Sequence, residues 1–210
     1  MCCRYYMEMS PELRPIVEEM NRAPLAAKMR DKLGKPLTME GEVRPTDIVP
    51  TIASAPSGSK KVFPMLWGFT AKGVGRPVVN ARAETAAQKP LWKEAWQKHR
   101  CIIPASWYYE WEHLLSPSGK PKTGDRYMIQ PRGSEVCYLA GLYQIEEFRD
   151  LKYPVFSILT REPSQELSRL HDRMPVILPG EMIEEWIKPD SNPGEIVKAA
   201  ITDMVFEKAV

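Results

Sequence analysis

The sequence predicts an α+β fold in one domain over residues 1–210, with a mixed, largely antiparallel sheet and flanking helices. Predicted strands outnumber the helices that could cross between them. Twenty prolines in 210 residues are nearly twice the usual share of about 5%, so long helices are few. A hydrophobic fraction of 43% beside 27% charged residues supplies a sizeable core and excludes a disordered chain. No internal repeat and no composition break marks a linker.

Each element follows from local signals. Met1 to Met7 reads as a short strand. Ser10-Pro11-Glu12 is a helix start, with Ser as cap and Pro at the first helical position, and Leu13, Ile16, Val17 and Met20 give the apolar stripe. A second helix runs from Pro24 through Leu33 and stops at Gly34. Pro45 and Pro50 keep Gly41 to Ile52 extended. Ser54 to Lys61 is a hairpin loop, and Val62 to Phe69 resumes a strand. Glu84 to Arg100 reads as one helix ending at a strand from Cys101 to Ile103. Further strands are predicted over Trp107 to Glu112, Tyr127 to Gln130, Val136 to Tyr143 and Pro154 to Leu159, with Leu114 to Gly124 a polar loop. Short helices are expected over Pro163 to Leu170 and Gly180 to Trp186, and a last one over Pro193 to Phe206.

Composition narrows the classes of function. No apolar run approaches the ~20 residues of a membrane span. The opening Met1-Cys2-Cys3-Arg4-Tyr5-Tyr6 lacks the apolar stretch of a secretion signal, which points to the cytoplasm. Four cysteines show no C-x-x-C spacing, so neither a zinc knuckle nor a disulfide framework is expected. A net charge of +2 neither demands nor forbids a nucleic-acid partner, because phosphate binding needs a local basic groove.

Four segments could carry chemistry. The first is Cys2. A small second residue favours removal of Met1, and an amino-terminal cysteine carries two nucleophiles on adjacent carbons. Its α-amine titrates near ~7.7–8.0 and its thiol near ~8.5. A 1,2-aminothiol can form a Schiff base with an aldehyde and then close to a thiazolidine, which no internal residue can do. The second is Trp67-Gly68-Phe69 with Asn80-Ala81-Arg82-Ala83-Glu84-Thr85. Asn80 can cap a helix or orient a substrate hydroxyl, Arg82 lies at a helix start, and Trp67 belongs in a core or stacks on a base. The third is Trp107-Tyr108-Tyr109-Glu110-Trp111. Strand alternation sets Tyr108 and Glu110 on one face; there Glu110 is either an ordinary solvent-facing residue or a carboxylate amid aromatics, whose raised pKa suits proton transfer. The fourth is His171-Asp172-Arg173-Met174-Pro175 at a helix-to-strand junction. His99 and His113 read as surface residues.

Taken together, these segments resemble the SRAP family of abasic-site processing proteins. The likeness runs in order from Met1-Cys2-x-Arg4 through Arg44-Pro45-Thr46-Asp47, Trp67-Gly68 and Asn80-Ala81-Arg82-Ala83-Glu84-Thr85. It continues with Arg100-Cys101-Ile102-Ile103-Pro104-Ala105, Tyr109-Glu110-Trp111, Ala140-Gly141-Leu142 and His171-Asp172-Arg173-Met174-Pro175. The resemblance implies a barrel-like sheet core, a basic groove for single-stranded DNA, and a covalent thiazolidine between the amino-terminal cysteine and the aldehyde of an abasic site. By that likeness Cys2 is the nucleophile, Asn80 holds the opened deoxyribose, Glu110 orients or deprotonates the α-amine, and His171 shuttles protons. Arg4, Trp67, Arg82 and Arg173 would line the DNA path. It implies no metal or cofactor, a monomer, a nucleoid association when DNA is bound, and peptidase and lyase side activities. The family usually has Gly where this chain has Cys3, and Gly where it has Trp107. Two other classes share these residues: an amino-terminal-nucleophile hydrolase using the Cys2 thiol, and a non-catalytic single-strand-binding module.

Overall fold

The structure, a computed structural model, describes residues 3–116 and 118–209. The elements in chain order are β1 (Arg4–Met7), α1 (Arg14–Arg22), α2 (Pro24–Leu33), β2 (Gly41–Val43), β3 (Ile48–Ser54) and β4 (Lys60–Trp67). Next come β5 (Asn80–Arg82), α3 (Ala83–Ala86), α4 (Pro90–Lys98), β6 (Arg100–Ala105), β7 (Trp107–Leu115) and β8 (Pro121–Pro131). The chain continues through β9 (Cys137–Phe148), β10 (Leu151–Arg161), β11 (Met174–Pro175), β12 (Ile177–Leu178), α5 (Ile183–Ile187), α6 (Pro193–Lys198) and β13 (Met204–Lys208).

Five strands close into a mixed barrel. The ring runs β10, β4, β3, β6, β9 and back to β10. Within the ring β4 and β10 pair in parallel, with Val155 opposite Leu66, and the other four pairings are antiparallel; β5, outside the ring, also pairs β10 in parallel. The period-two alternation of these strands points one set of side chains inward, among them Val49, Met65, Trp67, Cys101, Ile103, Leu139 and Phe156. Gly141 makes room for them, since a Cβ there would lie 2.5 Å from Ile103 Cδ1. The outward set, including Ile52, Ile102, Leu142, Val155 and Leu159, packs beneath Trp92 of α4 and Ile183 and Trp186 of α5. The structure is therefore α+β with a barrel-like core and flanking helices.

A second, fully antiparallel sheet has the order β13-β8-β7-β1-β2. Its inner face, carrying Tyr5, Met7, Val43, Tyr108 and Ile129, joins the barrel interior in one core. A single residue, Ser106, turns the chain from β6 of the barrel into β7 of this sheet. Its N–H donates to Tyr6 O at 2.8 Å, and its hydroxyl accepts the Glu8 N–H at 2.8 Å. The terminal strand β1 is thus central, with Tyr5 opposite Val43 on one side and Tyr108 on the other.

Several elements depart from the sequence reading. The helix expected over Glu84 to Arg100 is two, because Pro90 supplies no N–H and holds Lys89 extended at ψ 129. The first helix starts at Arg14, after a turn in which Ser10 O accepts the Arg14 N–H at 3.0 Å. Leu114 to Gly124 is largely strand: β7 and β8 run on as a ribbon with His113 opposite Thr123, past a bulge between Trp111 and His113. The last predicted helix ends at Lys198, and residues 204–208 pair with β8 as β13. No helix among the described residues is long and apolar enough to cross a membrane.

Candidate active site

Alternation along β7 turns Glu110 inward, where it is only 4% exposed. Burial pushes its carboxyl up to about 7. His171 arrives from the segment before β11 and is 5% exposed, with Nε2 3.5 Å from Glu110 Oε1. Its Nδ1 accepts the Arg173 N–H at 3.0 Å. That bond leaves the neutral ring with its proton on Nε2, facing Glu110. Asp172 Oδ1 is 2.8 Å from the same Nδ1, but with that nitrogen already accepting a backbone N–H, this exposed carboxylate is a neighbour rather than the tautomer's anchor.

Burial foremost, with the His113 imidazole alongside, pulls His171 down to about 4. The ring is therefore neutral at pH 7, beside a carboxyl that both holds and releases its proton there. Two adjacent groups whose environments displace them in opposite directions form an acid–base pair. The bulge in β7 brings His113 onto His171, with ring centroids 3.8 Å apart, and the backbone N–H of His113 donates to Leu170 O at 2.8 Å. The sequence reading puts His113 on the surface, where it is indeed exposed. It misses the contact because a bulge interrupts the alternation that would assign its face.

A groove of about 930 Å³ opens at Cys3, and neither Glu110 nor His171 lines it. The register that sets Arg4 against Tyr109 continues to place Cys3 beside Glu110. Burial, then the Glu110 charge, raises the Cys3 thiol. Cys3 lines the groove together with Asn80, Arg82, Arg76 and Lys89. Asn80 sits in β5, opposite Ile158 of β10, and it is Arg82 that occupies the cap of α3. Gly68, at φ 125, lets the rim approach: a Cβ there would stand 2.5 Å from Pro77 Cβ. Lys89 carries no signal in the sequence, since only the fold brings the turn between α3 and α4 to the groove.

Two predicted DNA-path residues lie elsewhere. Trp67 is fully buried in the barrel, its indole N–H donating to Val79 O at 3.0 Å, so neither ring face is offered to a base. Arg173 is 9% exposed and pairs in bidentate fashion with Glu84, at 2.9 and 2.8 Å, while also donating to Thr160 O at 2.6 Å. Its guanidinium ties α3 to β10, and its backbone holds His171. Arg82 is exposed in the groove. Arg4 is half-buried and donates to Cys3 O at 2.7 Å. Cys2, the expected nucleophile, lies outside the described residues.

The burial of Trp67 has a measurable consequence. Trp67→Ala is expected to cost about 3–5 kcal/mol of stability, read as a shifted urea midpoint. DNA affinity of the folded fraction should be unchanged. A stable variant with weakened DNA binding would restore the base-stacking role.

Residues 1–208 match the family described as SOS response associated peptidase (SRAP). The chain is 36% identical over 131 residues to Abasic site processing protein YobE of Bacillus subtilis (strain 168), covering 61% of this chain and 57% of that protein. It is 28% identical over 146 residues to Abasic site processing protein YedK of Escherichia coli (strain K12), covering 68% and 62%. The match to YobE thus spans little more than half of that relative's length. Among solved structures, a protein from Bacteroides thetaiotaomicron superposes with a TM-score of 0.74 at 21% identity, over 100% of this chain and 92% of that one. A phage-related protein from Bordetella bronchiseptica gives a TM-score of 0.68 at 22% identity, over 99% and 94%. These two likenesses concern the fold.

Proposed function

This chain belongs to the SRAP family, and from that premise we propose that it captures abasic sites in single-stranded DNA as a covalent thiazolidine on Cys2. The observation that carries the reading is the buried Glu110–His171 pair beside Cys3, at one side of a groove lined by Asn80, Arg82, Arg76 and Lys89. A paired acid and base next to the terminal residues suits a reaction that begins and ends with proton transfers at an amine.

With Met1 removed, the free α-amine of Cys2 adds to the aldehyde carbon of the ring-opened deoxyribose. Glu110, ionised, takes the proton the ammonium must lose. The carbinolamine hydroxyl departs as water when Glu110 returns that proton, leaving a C=N bond. The Cys2 thiol then adds across it, sulfur to carbon and proton to nitrogen. The net reaction joins aldehyde and aminothiol with loss of one water. Asn80 holds the opened sugar, and His171 shuttles protons with Glu110 during ring opening. Arg82 and Arg4 hold the strand.

The test is denaturing electrophoresis after mixing the mature protein with abasic single-stranded DNA. A shifted band is expected that survives denaturation, and none when the aldehyde is first capped with methoxyamine. An adduct formed equally well with the capped strand would sink the aldehyde chemistry. Absence of any adduct, with binding retained, would leave the binding-module reading. Cys3→Gly should trap at least as well as the parent, since the thiol that closes the ring is on the preceding residue.

A further inference from the structure

We propose that the outer face of the five-stranded sheet binds the phosphodiester backbone on one side of the abasic nucleotide, through Arg44 and Arg126 acting with Arg4; this rests on the DNA-binding reading above. One carboxylate organises the patch. Glu42 Oε1 accepts from Arg44 Nε at 3.0 Å and lies 3.3 Å from Arg4 Nε, while its Oε2 accepts from Arg126 Nη1 at 3.0 Å. Three guanidiniums against one carboxylate leave a local charge of +2.

The strand registers bring them to the same face. Glu42 stands opposite Tyr6, Arg4 opposite Tyr109, and Arg126 opposite Trp111. In an antiparallel ladder, directly opposed residues share a side. The Arg126 guanidinium also lies 4.4 Å over the Tyr109 ring, which fixes its plane. Arg44 and Arg126 remain 64% and 32% exposed, open to a ligand.

Continuity with the groove says what the patch meets. Pro45, which follows Arg44, and Cys3, which precedes Arg4, both line the groove. The cations Arg76, Arg82 and Lys89 line it as well. Cationic side chains thus run from the groove past Cys3 and onto the sheet. A single strand centred at Cys3 needs cations on both flanks. Guanidiniums already held in place lose little rotamer freedom on binding phosphate. Glu42, which holds them, also repels that phosphate, so it is both organiser and brake.

The probe is a labelled oligonucleotide carrying a tetrahydrofuran abasic analogue, which has no aldehyde and gives equilibrium binding by anisotropy. Arg44→Ala and Arg126→Ala should each weaken binding several-fold and reduce the slope of log affinity against log salt by about 0.7. Arg44→Lys and Arg126→Lys should restore the slope. Glu42→Gln should tighten binding. With oligonucleotides carrying a flank on only one side of the analogue, the arginine effects should persist for one side and vanish for the other. An unchanged affinity and slope in the Arg44→Ala/Arg126→Ala double variant, with its melting temperature retained, overturns the proposal, as does unchanged or weaker binding by Glu42→Gln. Wild-type trapping of an aldehyde-bearing strand is scored separately, so failure of the chemistry and failure of this patch are told apart.

Discussion

A preparation that retains Met1, or carries a tag ahead of Cys2, is expected to lose covalent trapping of abasic DNA as completely as Cys2→Ala does, while still binding the strand. A thiazolidine needs the amine and the thiol on one residue, and the amine must be free. A free α-amine titrates near ~7.7–8.0, so a useful fraction is nucleophilic at neutral pH. Acylated in a peptide bond, the same nitrogen is neither basic nor nucleophilic. Binding persists because exposed cations such as Arg82 are untouched and backbone contacts dominate single-strand affinity. The measurement is a pair of gels on one tagged preparation, native for binding and denaturing for trapping. An ordinary cysteine nucleophile tolerates such an extension, so trapping by the uncleaved protein at the mature rate would refute the aminothiol mechanism.

Glu110→Ala and His171→Ala are expected to slow trapping or its reversal by roughly 10²–10⁴-fold, the usual span for a general acid or base, with strand affinity little changed. Rates within about twofold of wild type for both variants would reduce the pair to a structural role. Stability against pH supplies an independent reading. Glu110 rises from 4.5 to about 7 on folding, so the folded state keeps a proton that the unfolded chain has released, and its contribution declines as pH rises through that window. His171 falls from 6.5 to about 4, so its contribution is lost as pH drops from 6.5 to 4. The two oppose each other where they overlap. Relative to wild type, Glu110→Gln should therefore gain melting temperature between pH 4.5 and 7 as pH rises. His171→Gln should gain it between 6.5 and 4 as pH falls. Parallel melting curves for both variants across these windows would remove the opposed shifts.

What the sequence reveals depends on how far apart the deciding partners lie. The second helix is legible to the residue, because Pro24 and Gly34 punctuate it locally and Gly34 sits at φ 64. Strand alternation pairs Glu110 with Tyr108 on one face, but which face turns inward, and with it the raised carboxyl, is settled only when the sheet packs against the barrel. The strand at residues 204–208 is not legible: it exists because β8 offers an edge, and nothing in Met204-Val205-Phe206-Glu207-Lys208 announces that edge. Trp67 and Arg173 fail for the same reason. A tryptophan next to glycine reads as readily as a stacking platform as a core residue, and closure of the barrel around it decides. Arg173 looks like a groove cation until Glu84, far away in sequence, takes both its terminal nitrogens. The basic groove itself is an expectation from family likeness, whereas its member Lys89 comes from a helix break at Pro90 that only the folded chain exposes as a wall.

The central position of β1 also sets a clock. One of its two partners, β7, follows it in the chain by about a hundred residues, and a ribosome adds roughly 5–20 residues each second. For about 5–20 s of synthesis, β1 therefore has no Tyr108 or Tyr109 to pair with. The acid–base pair is completed later still, when His171 emerges. Chain order thus makes β1 first and the buried pair last, so a nascent chain stalled before residue 107 holds β1 with neither Tyr108 beside it nor Glu110 and His171 in place.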